Sequence, residues 1–222
     1  MKTDSIKAQI KKEWKKEEKN LYLPKALPVV IEVPSMNFFV IEGQGNPNDA
    51  HFSACIEALF GASYAVRMSY KGAVVPEGYH EYTVYPLEGV WDLTEVGKEK
   101  MEAIGSHGVV DLKDELVFKL MIRQPEFLTP ELAAQFLDQT AKKKKNLLTQ
   151  QIRFEQIEEG LCVQMLHEGP YDDEPASFAR MEAFARSQGL TRLEKTHREI
   201  YLSDERKTAP EKLKTVLRFR VE

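Results

Sequence analysis

Thiols, clustered charge and long apolar runs are all scarce in this chain. Only two cysteines occur in 222 residues, Cys55 and Cys162, at no motif spacing. No secretory apolar core is present, so a reducing, cytoplasmic setting is expected, with both thiols as core filler. Neither thiol is read as a nucleophile, for want of a histidine in local reach to activate it. The five histidines show no HxxxH or HxxE spacing, so no metal site is expected. No GxGxxG, phosphate-binding loop or GxSxG is present, and no cofactor is expected. The 31 basic and 35 acidic residues leave a net charge of −4, which argues against a phosphate-binding face and so against nucleic acid. The two basic runs are weak exceptions. Lys11 to Lys19 is interleaved with Glu13, Glu17 and Glu18, and Lys142 to Lys145 ends a helical pattern, where lysine complements the dipole. No apolar run suggests a membrane partner. No exposed apolar helix argues for a protein partner.

What is present is a composition able to fill a core, 42% hydrophobic, and an internal echo. The segment His197-Arg198-Glu199-Ile200-Tyr201-Leu202-Ser203 aligns with Glu81-Tyr82-Thr83-Val84-Tyr85-Pro86-Leu87, placing Tyr85 on Tyr201 and Glu81 on His197. Upstream, Ile41 to Pro47 precedes a helical run through Phe52 and Phe60. Leu166 to Tyr171 likewise precedes one through Phe178 and Phe184. A strand–loop–helix–strand unit used twice can pair about a pseudo-twofold axis, with a groove at the junction.

The elements follow from local chemistry. Ser5 to Asn20 reads as a charged helix packed through Ile6, Ile10 and Trp14. A linker with Pro24, Pro28 and Pro34 follows. Met36 to Gly43 reads as a strand, and Gly45 to Asp49 as a turn capping a helix from Ala50 to about Gly61. Tyr64 to Lys71 and Tyr79 to Leu87 read as strands; Val90 to Gly108 has no clear period. Asp111 to Arg123 is a strand stopped by Pro125. Thr129 caps a helix with Pro130 at its first position. Strands near Ile152 to Gln156 and Cys162 to His167 precede a helix from Pro175 to Gln188, closed by Gly189. Two strands finish the chain. The expected fold is α+β: a duplicated strand–helix–strand–strand unit, an antiparallel sheet with helices on one face, and a central ligand cleft. The N-terminal helix and linker span residues 1–34. The main domain spans 35–222, with repeats at about 35–95 and 152–222 and an intervening strand and helix at about 111–145.

Strict alternation puts Glu199 and Tyr201 on one strand face and Ile200 and Leu202 on the other. A carboxylate beside tyrosines in a hollow can bind a cation, or serve as acid or base. An edge glutamate in solvent would show the same pattern. Tyr171 is thrown out by the Gly169-Pro170 turn. On the following helix Phe178, Met181, Glu182 and Ala185 share a face; Glu182 is out of place there and is a second acid candidate. Trp91 beside a glycine turn suits either a core plug or a cage wall.

These residues and their surroundings resemble a known family. The resemblance is carried by Glu81-Tyr82 with Pro86-Leu87-Glu88-Gly89-Val90-Trp91, by Lys119-Leu120-Met121-Ile122-Arg123-Gln124-Pro125-Glu126-Phe127, and by Glu159-Gly160-Leu161-Cys162-Val163-Gln164. It continues through His167-Glu168-Gly169-Pro170-Tyr171-Asp172-Asp173-Glu174-Pro175, Glu199 to Asp204, and Ala209 to Thr215. The chain resembles the GyrI-like small-molecule-binding proteins, also seen as effector domains of multidrug-responsive regulators. From about residue 20 onward it looks like their free-standing branch. Glu205-Arg206 and Phe219-Arg220-Val221 depart from the usual pattern. The resemblance implies a cleft between the halves with an acidic residue, carried onto Glu199. Some free-standing members look like hydrolases of cyclopropanoid DNA-alkylating genotoxins that use an aromatic cage. Tyr79, Tyr85, Trp91, Phe118, Tyr171, Phe178 and Tyr201 are the candidates for such a cage; Glu199, Glu182 and Tyr201 are the candidates for catalysis. Expected ligands are planar hydrophobic or cationic small molecules. A binder that sequesters such a molecule, or a gyrase inhibitor, remains the alternative to an enzyme.

Overall fold

The computed structural model describes residues 11–72, 75–104, 112–143 and 146–222. Eight strands form one sheet: β1 (Val29–Val33), β2 (Met36–Gln44), β3 (Leu87–Leu93), β4 (Leu116–Arg123), β5 (Arg153–Ile157), β6 (Gly160–Glu168), β7 (His197–Tyr201) and β8 (Lys214–Arg220). Six helices accompany them among the described residues: α1 (Trp14–Glu17), α2 (Lys19–Tyr22), α3 (Ala50–Arg67), α4 (Glu95–Ile104), α5 (Pro130–Lys143) and α6 (Glu174–Ser187). The strand order is β1-β6-β8-β7-β3-β4-β2-β5, antiparallel at every ladder.

Connectivity forces this sheet to curl. Val33 and Met36 are three residues apart, as are Ile157 and Gly160, yet each step joins strands six places apart in the sheet. In a flat sheet six strand spacings are about 29 Å, whereas three residues reach at most about 11 Å. The two edges therefore approach each other at that end, giving a half-barrel.

The duplication is plain in the order. β2-α3-β3-β4 and β6-α6-β7-β8 are equivalent units, meeting where β3 pairs β7. The strand leading into each unit pairs with the first strand of the other: β1 with β6, β5 with β2. Gly45 and Gly169 hold the same turn between strand and helix, at φ 110° and 134°, a conformation that glycine adopts freely.

The faces differ. On the outer face α3 and α5 cover Phe39, Ile41, Phe118, Leu120 and Ile122, and α6 covers Val163, Met165, Leu217 and Phe219. On the concave face Trp14, Leu21 and Tyr22 from α1 and α2 pack on Phe38, Val40, Met121, Ile200 and Val216. Beside them runs a buried ionic chain. Arg198 pairs with Glu88 at 2.7 Å and with Glu159 at 2.9 Å. Arg218 pairs with Glu159 at 2.9 Å and donates to the Leu21 carbonyl at 2.9 Å.

Several sequence expectations are corrected. The helix expected to stop near Gly61 runs to Arg67, and a short 3-10 turn, not a strand, occupies Ser69–Lys71. Leu59, Ala62 and Val66 continue the buried stripe, which outweighs the ~1 kcal/mol penalty of an internal glycine. The expected strand Tyr79 to Leu87 joins no ladder before Leu87; among the described residues its one bridge is Tyr82 to Lys12. Repeat registration shifts with it. Trp91, not Tyr85, occupies the place in β3 that Tyr201 holds in β7, and Leu87, not Glu81, answers to His197. The proline-rich linker contains β1, an edge strand between Pro28 and Pro34. The segment without a clear period holds the end of β3 and α4. The N-terminal helix is two single turns broken at Glu18; its expected start, like Asp111, lies outside the described residues. His51 does reach Cys55, one turn on, with Nε2 3.8 Å from Sγ; burial pushes that thiol's pKa up, which disfavours the thiolate.

Candidate ligand site at the junction of the two halves

The site is built on the outer face where β3 meets β7. Alternation along β7 sends His197, Glu199 and Tyr201 to that face and Arg198 and Ile200 to the concave one. In β3 the same parity presents Gly89 and Trp91, with Gly89 opposite Glu199 and Trp91 opposite His197. Gly89 is small for a reason. A β-carbon there would stand 3.0 Å from Trp91 Nε1 and 3.1 Å from the Tyr201 hydroxyl. Its absence lets the indole N–H donate to that hydroxyl at 2.7 Å across the junction.

Above this floor sit the turn and first half of α6. His167, buried, spans from Ser177 at 2.9 Å to the Pro170 carbonyl at 3.0 Å, which pins the Gly169-Pro170 turn to the helix. Tyr171 follows directly, and its ring meets Tyr201 edge-on with centroids 6.1 Å apart. One turn into the helix, Phe178 packs edge-on against His197 at 4.6 Å. Trp91 backs the other wall, in contact with Phe52 at 5.7 Å and Phe118 at 5.8 Å.

Three groups converge on Glu199. His197 Nε2 lies 3.0 Å from its Oε1, and the Tyr201 hydroxyl and the Glu174 carboxyl lie close enough to feel its charge. Burial and the neighbouring Glu199 charge together raise the Glu174 pKa strongly, since two carboxylates in contact cannot both ionise cheaply. The Tyr201 pKa is raised by burial and then by Glu199. That of Tyr171 is raised by burial and by the surrounding Glu205, Glu199, Glu174 and Asp204. The junction is therefore ringed by aromatic side chains and acidic at its centre. Glu174, His197 and Glu199 each offer a donor atom within 4.8 Å of the others.

Trp91, Tyr171, Phe178, Tyr201 and Glu199 are thus brought together. The remaining candidates lie elsewhere. Phe118 is buried beneath α3 and reaches the site through Trp91. Tyr85 is over the concave face, donating to Glu18 at 2.9 Å under the Arg123 guanidinium. Tyr79 donates to the Arg67 carbonyl and stacks near Phe127. Glu182 is ion-paired with Arg192 at 2.9 Å, beside a shallow hollow of about 230 Å³. Glu174 and His197 escaped the sequence reading as site residues. His197 shares the strand parity that revealed Glu199, so a signal existed. Glu174 looks like any acid in the first turn of a helix.

A family model described as GyrI-like small molecule binding domain matches residues 28–222. Among solved structures, a hydrolase from Listeria innocua is 34% identical, with a TM-score of 0.83 over 96% of this chain and 100% of its own. A second Listeria innocua hydrolase is 36% identical, with a TM-score of 0.84 and the same coverage. An uncharacterized conserved protein from that organism is 36% identical, with a TM-score of 0.82. No curated protein matches the chain. With a family model spanning nearly the whole chain and structural relatives above 30% identity, the chain belongs to the GyrI-like small-molecule-binding family.

Proposed function

We propose that this protein hydrolyses cyclopropanoid DNA-alkylating genotoxins at the junction of its two halves. The observation that carries the reading is the placement of a buried carboxylate, Glu199, inside aromatic walls made by Trp91, Tyr171, Phe178 and Tyr201. Two structural relatives described as hydrolases support an enzymatic role.

Such substrates join a strained cyclopropane to a flat dienone. The rings of the site touch one another, so a planar ligand enters by parting Tyr171 from Tyr201 and stacks in their place. Stacking excludes bulk water and fixes the ring relative to Glu199. Glu199 then holds one water against the cyclopropane carbon and takes its proton. The C–O bond forms as the strained C–C bond breaks, and the electron pair moves through the ring to the carbonyl oxygen. Tyr201 or the Glu174 carboxyl, both beside Glu199, stabilises the developing phenolate and supplies its proton. The net change is addition of one water.

The test is incubation with a cyclopropane-bearing dienone and measurement of the water adduct. More than one adduct per protein molecule supports hydrolysis. Stoichiometric retention of intact compound would show instead a protein that sequesters it.

A further inference from the structure

We propose that Glu174, His197 and Glu199 form a binding site for a divalent transition-metal ion of the zinc class. Their donor atoms lie within 4.8 Å of one another. They come from two elements held rigidly together: α6 provides Glu174, and β7 provides His197 and Glu199 two residues apart on one face.

Glu174 is only 6% exposed, and its Oε1 has no hydrogen-bond partner among the described residues. A buried carboxyl oxygen left unsatisfied is unfavourable, and an ion held by Glu174 and its two neighbours would satisfy it. The donor set selects the ion. One imidazole nitrogen with two carboxylates suits zinc, cobalt or manganese; magnesium and calcium favour all-oxygen shells with more ligands. Two carboxylates and a neutral imidazole also balance the charge of a divalent ion.

The support around the ligands is of the kind metal sites use. Tyr201 lies beside Glu199 and is itself fixed by the Trp91 N–H at 2.7 Å, which limits the space open to that ligand carboxylate. Phe178 packs on the His197 ring and limits its rotation. Three protein ligands leave a coordination position open, as in sites that bind water or substrate oxygen. The position would face Tyr171 and Tyr201, where a carbonyl or hydroxyl oxygen of a small molecule that parts the two rings can reach it. Binding through Nε2 requires the imidazole to carry its proton on Nδ1. This inference does not depend on hydrolysis, because it is read without substrate.

The experiment uses the untagged full-length protein, treated with chelator and dialysed. Zinc is titrated by calorimetry, and cobalt(II) by its visible absorption. The expected result is one equivalent bound, with intense d–d bands of a low-coordinate cobalt site. His197→Ala and Glu174→Gln should each weaken binding at least tenfold, while His80→Ala, at a remote histidine, leaves it unchanged. If Glu174→Gln does not fold, imidazole NMR of the wild-type protein decides: zinc should shift the His197 resonances before those of other histidines. Absence of saturable micromolar binding, or binding that persists in His197→Ala, or zinc-shifted resonances only at other histidines, would each overturn the proposal. Zinc binding without hydrolysis would retire the hydrolytic reading alone; hydrolysis without zinc binding would retire the metal site alone.

Discussion

Gly89→Ala tests whether the junction between the halves is shaped around the Trp91–Tyr201 bond. The backbone of Gly89 lies in a regular ladder, so alanine is conformationally acceptable there. Removing glycine freedom from the unfolded chain would, taken alone, stabilise the fold by about 0.4–1 kcal/mol. Against that stands the new methyl, 3.0 Å from Trp91 Nε1, 3.1 Å from the Tyr201 hydroxyl and 3.4 Å from Leu120 Cδ2. Two of these contacts are too close to keep, and the indole and phenol must separate by a few tenths of an ångström. A buried hydrogen bond lost with its donor left unsatisfied is unfavourable by about 1–3 kcal/mol. The expected balance is a net destabilisation of about 1–2 kcal/mol in chemical denaturation, with a shift in Trp91 emission. The cause is isolated by a double-mutant cycle with Trp91→Phe. Once the indole N–H is gone the alanine has less to displace, so its penalty should fall by at least half. Equal penalties in both backgrounds, or an alanine variant as stable as wild type with unchanged emission, would refute the account of Gly89.

Three further outcomes follow from the geometry. Glu199→Gln should keep the fold and lower turnover of a cyclopropanoid substrate by roughly 10²–10⁴-fold, while Glu182→Gln, altering a residue paired to Arg192 outside the junction, should leave it unchanged; the reverse pattern would move the role to Glu182. A planar aromatic ligand should quench Trp91 but not Trp14, which is buried over the concave face, so quenching that survives Trp91→Phe counts against the aromatic site. Glu159→Gln strands the buried Arg218 charge and should destabilise by about 3–5 kcal/mol. The Arg198 and Arg218 charges oppose burial and hold the Glu159 pKa below its usual value, so this stability is complete above about pH 4.5 and is lost as pH falls through the depressed folded-state pKa; acid denaturation midpoints equal in wild type and variant would contradict it.

The architecture was legible because it rests on local signals repeated twice. Alternation marked β7, Thr129 and Pro130 opened α5, and Gly169 and Gly189 bracketed α6. The registration of the repeat was not legible. The segment after α3 runs through Tyr79 to Pro86 before β3 begins, whereas β7 follows α6 closely, so aligning by residue type placed Tyr85 on Tyr201. Only the ladder, with Gly89 opposite Glu199, corrects this. The acid pair was hidden for another reason. Glu174 and Glu199 are 25 positions apart on different elements, and only the packing of α6 on the sheet brings them together. The same limit explains Tyr79 and Tyr85: an aromatic residue in a sequence does not state which face of a curled sheet it will cover.

The equivalence of the two units shows how a symmetric scaffold acquired a directional site. Met36–Gln44 answers to Gly160–Glu168, and Ala50 to Glu174, each 124 positions on. Through β3 and β7, Gly89 answers to Glu199, Leu87 to His197 and Trp91 to Tyr201. Every ionisable group of the cluster therefore comes from the second unit, and the first unit has alanine, glycine and leucine at the matching places. This division follows from the geometry of a twofold junction. Side chains at equivalent positions near the axis point into the same small volume, so two glutamates from β7 and β3 would add a third carboxylate to a pair that already resists double ionisation. A bulky residue in place of Gly89 would meet the indole and phenol directly. One unit contributes the chemistry, and the other contributes room and, through Trp91, a hydrogen bond that orients it. Gly89→Glu should therefore abolish ligand binding without any change to Glu199 itself, because a second carboxylate would occupy the junction beside the first.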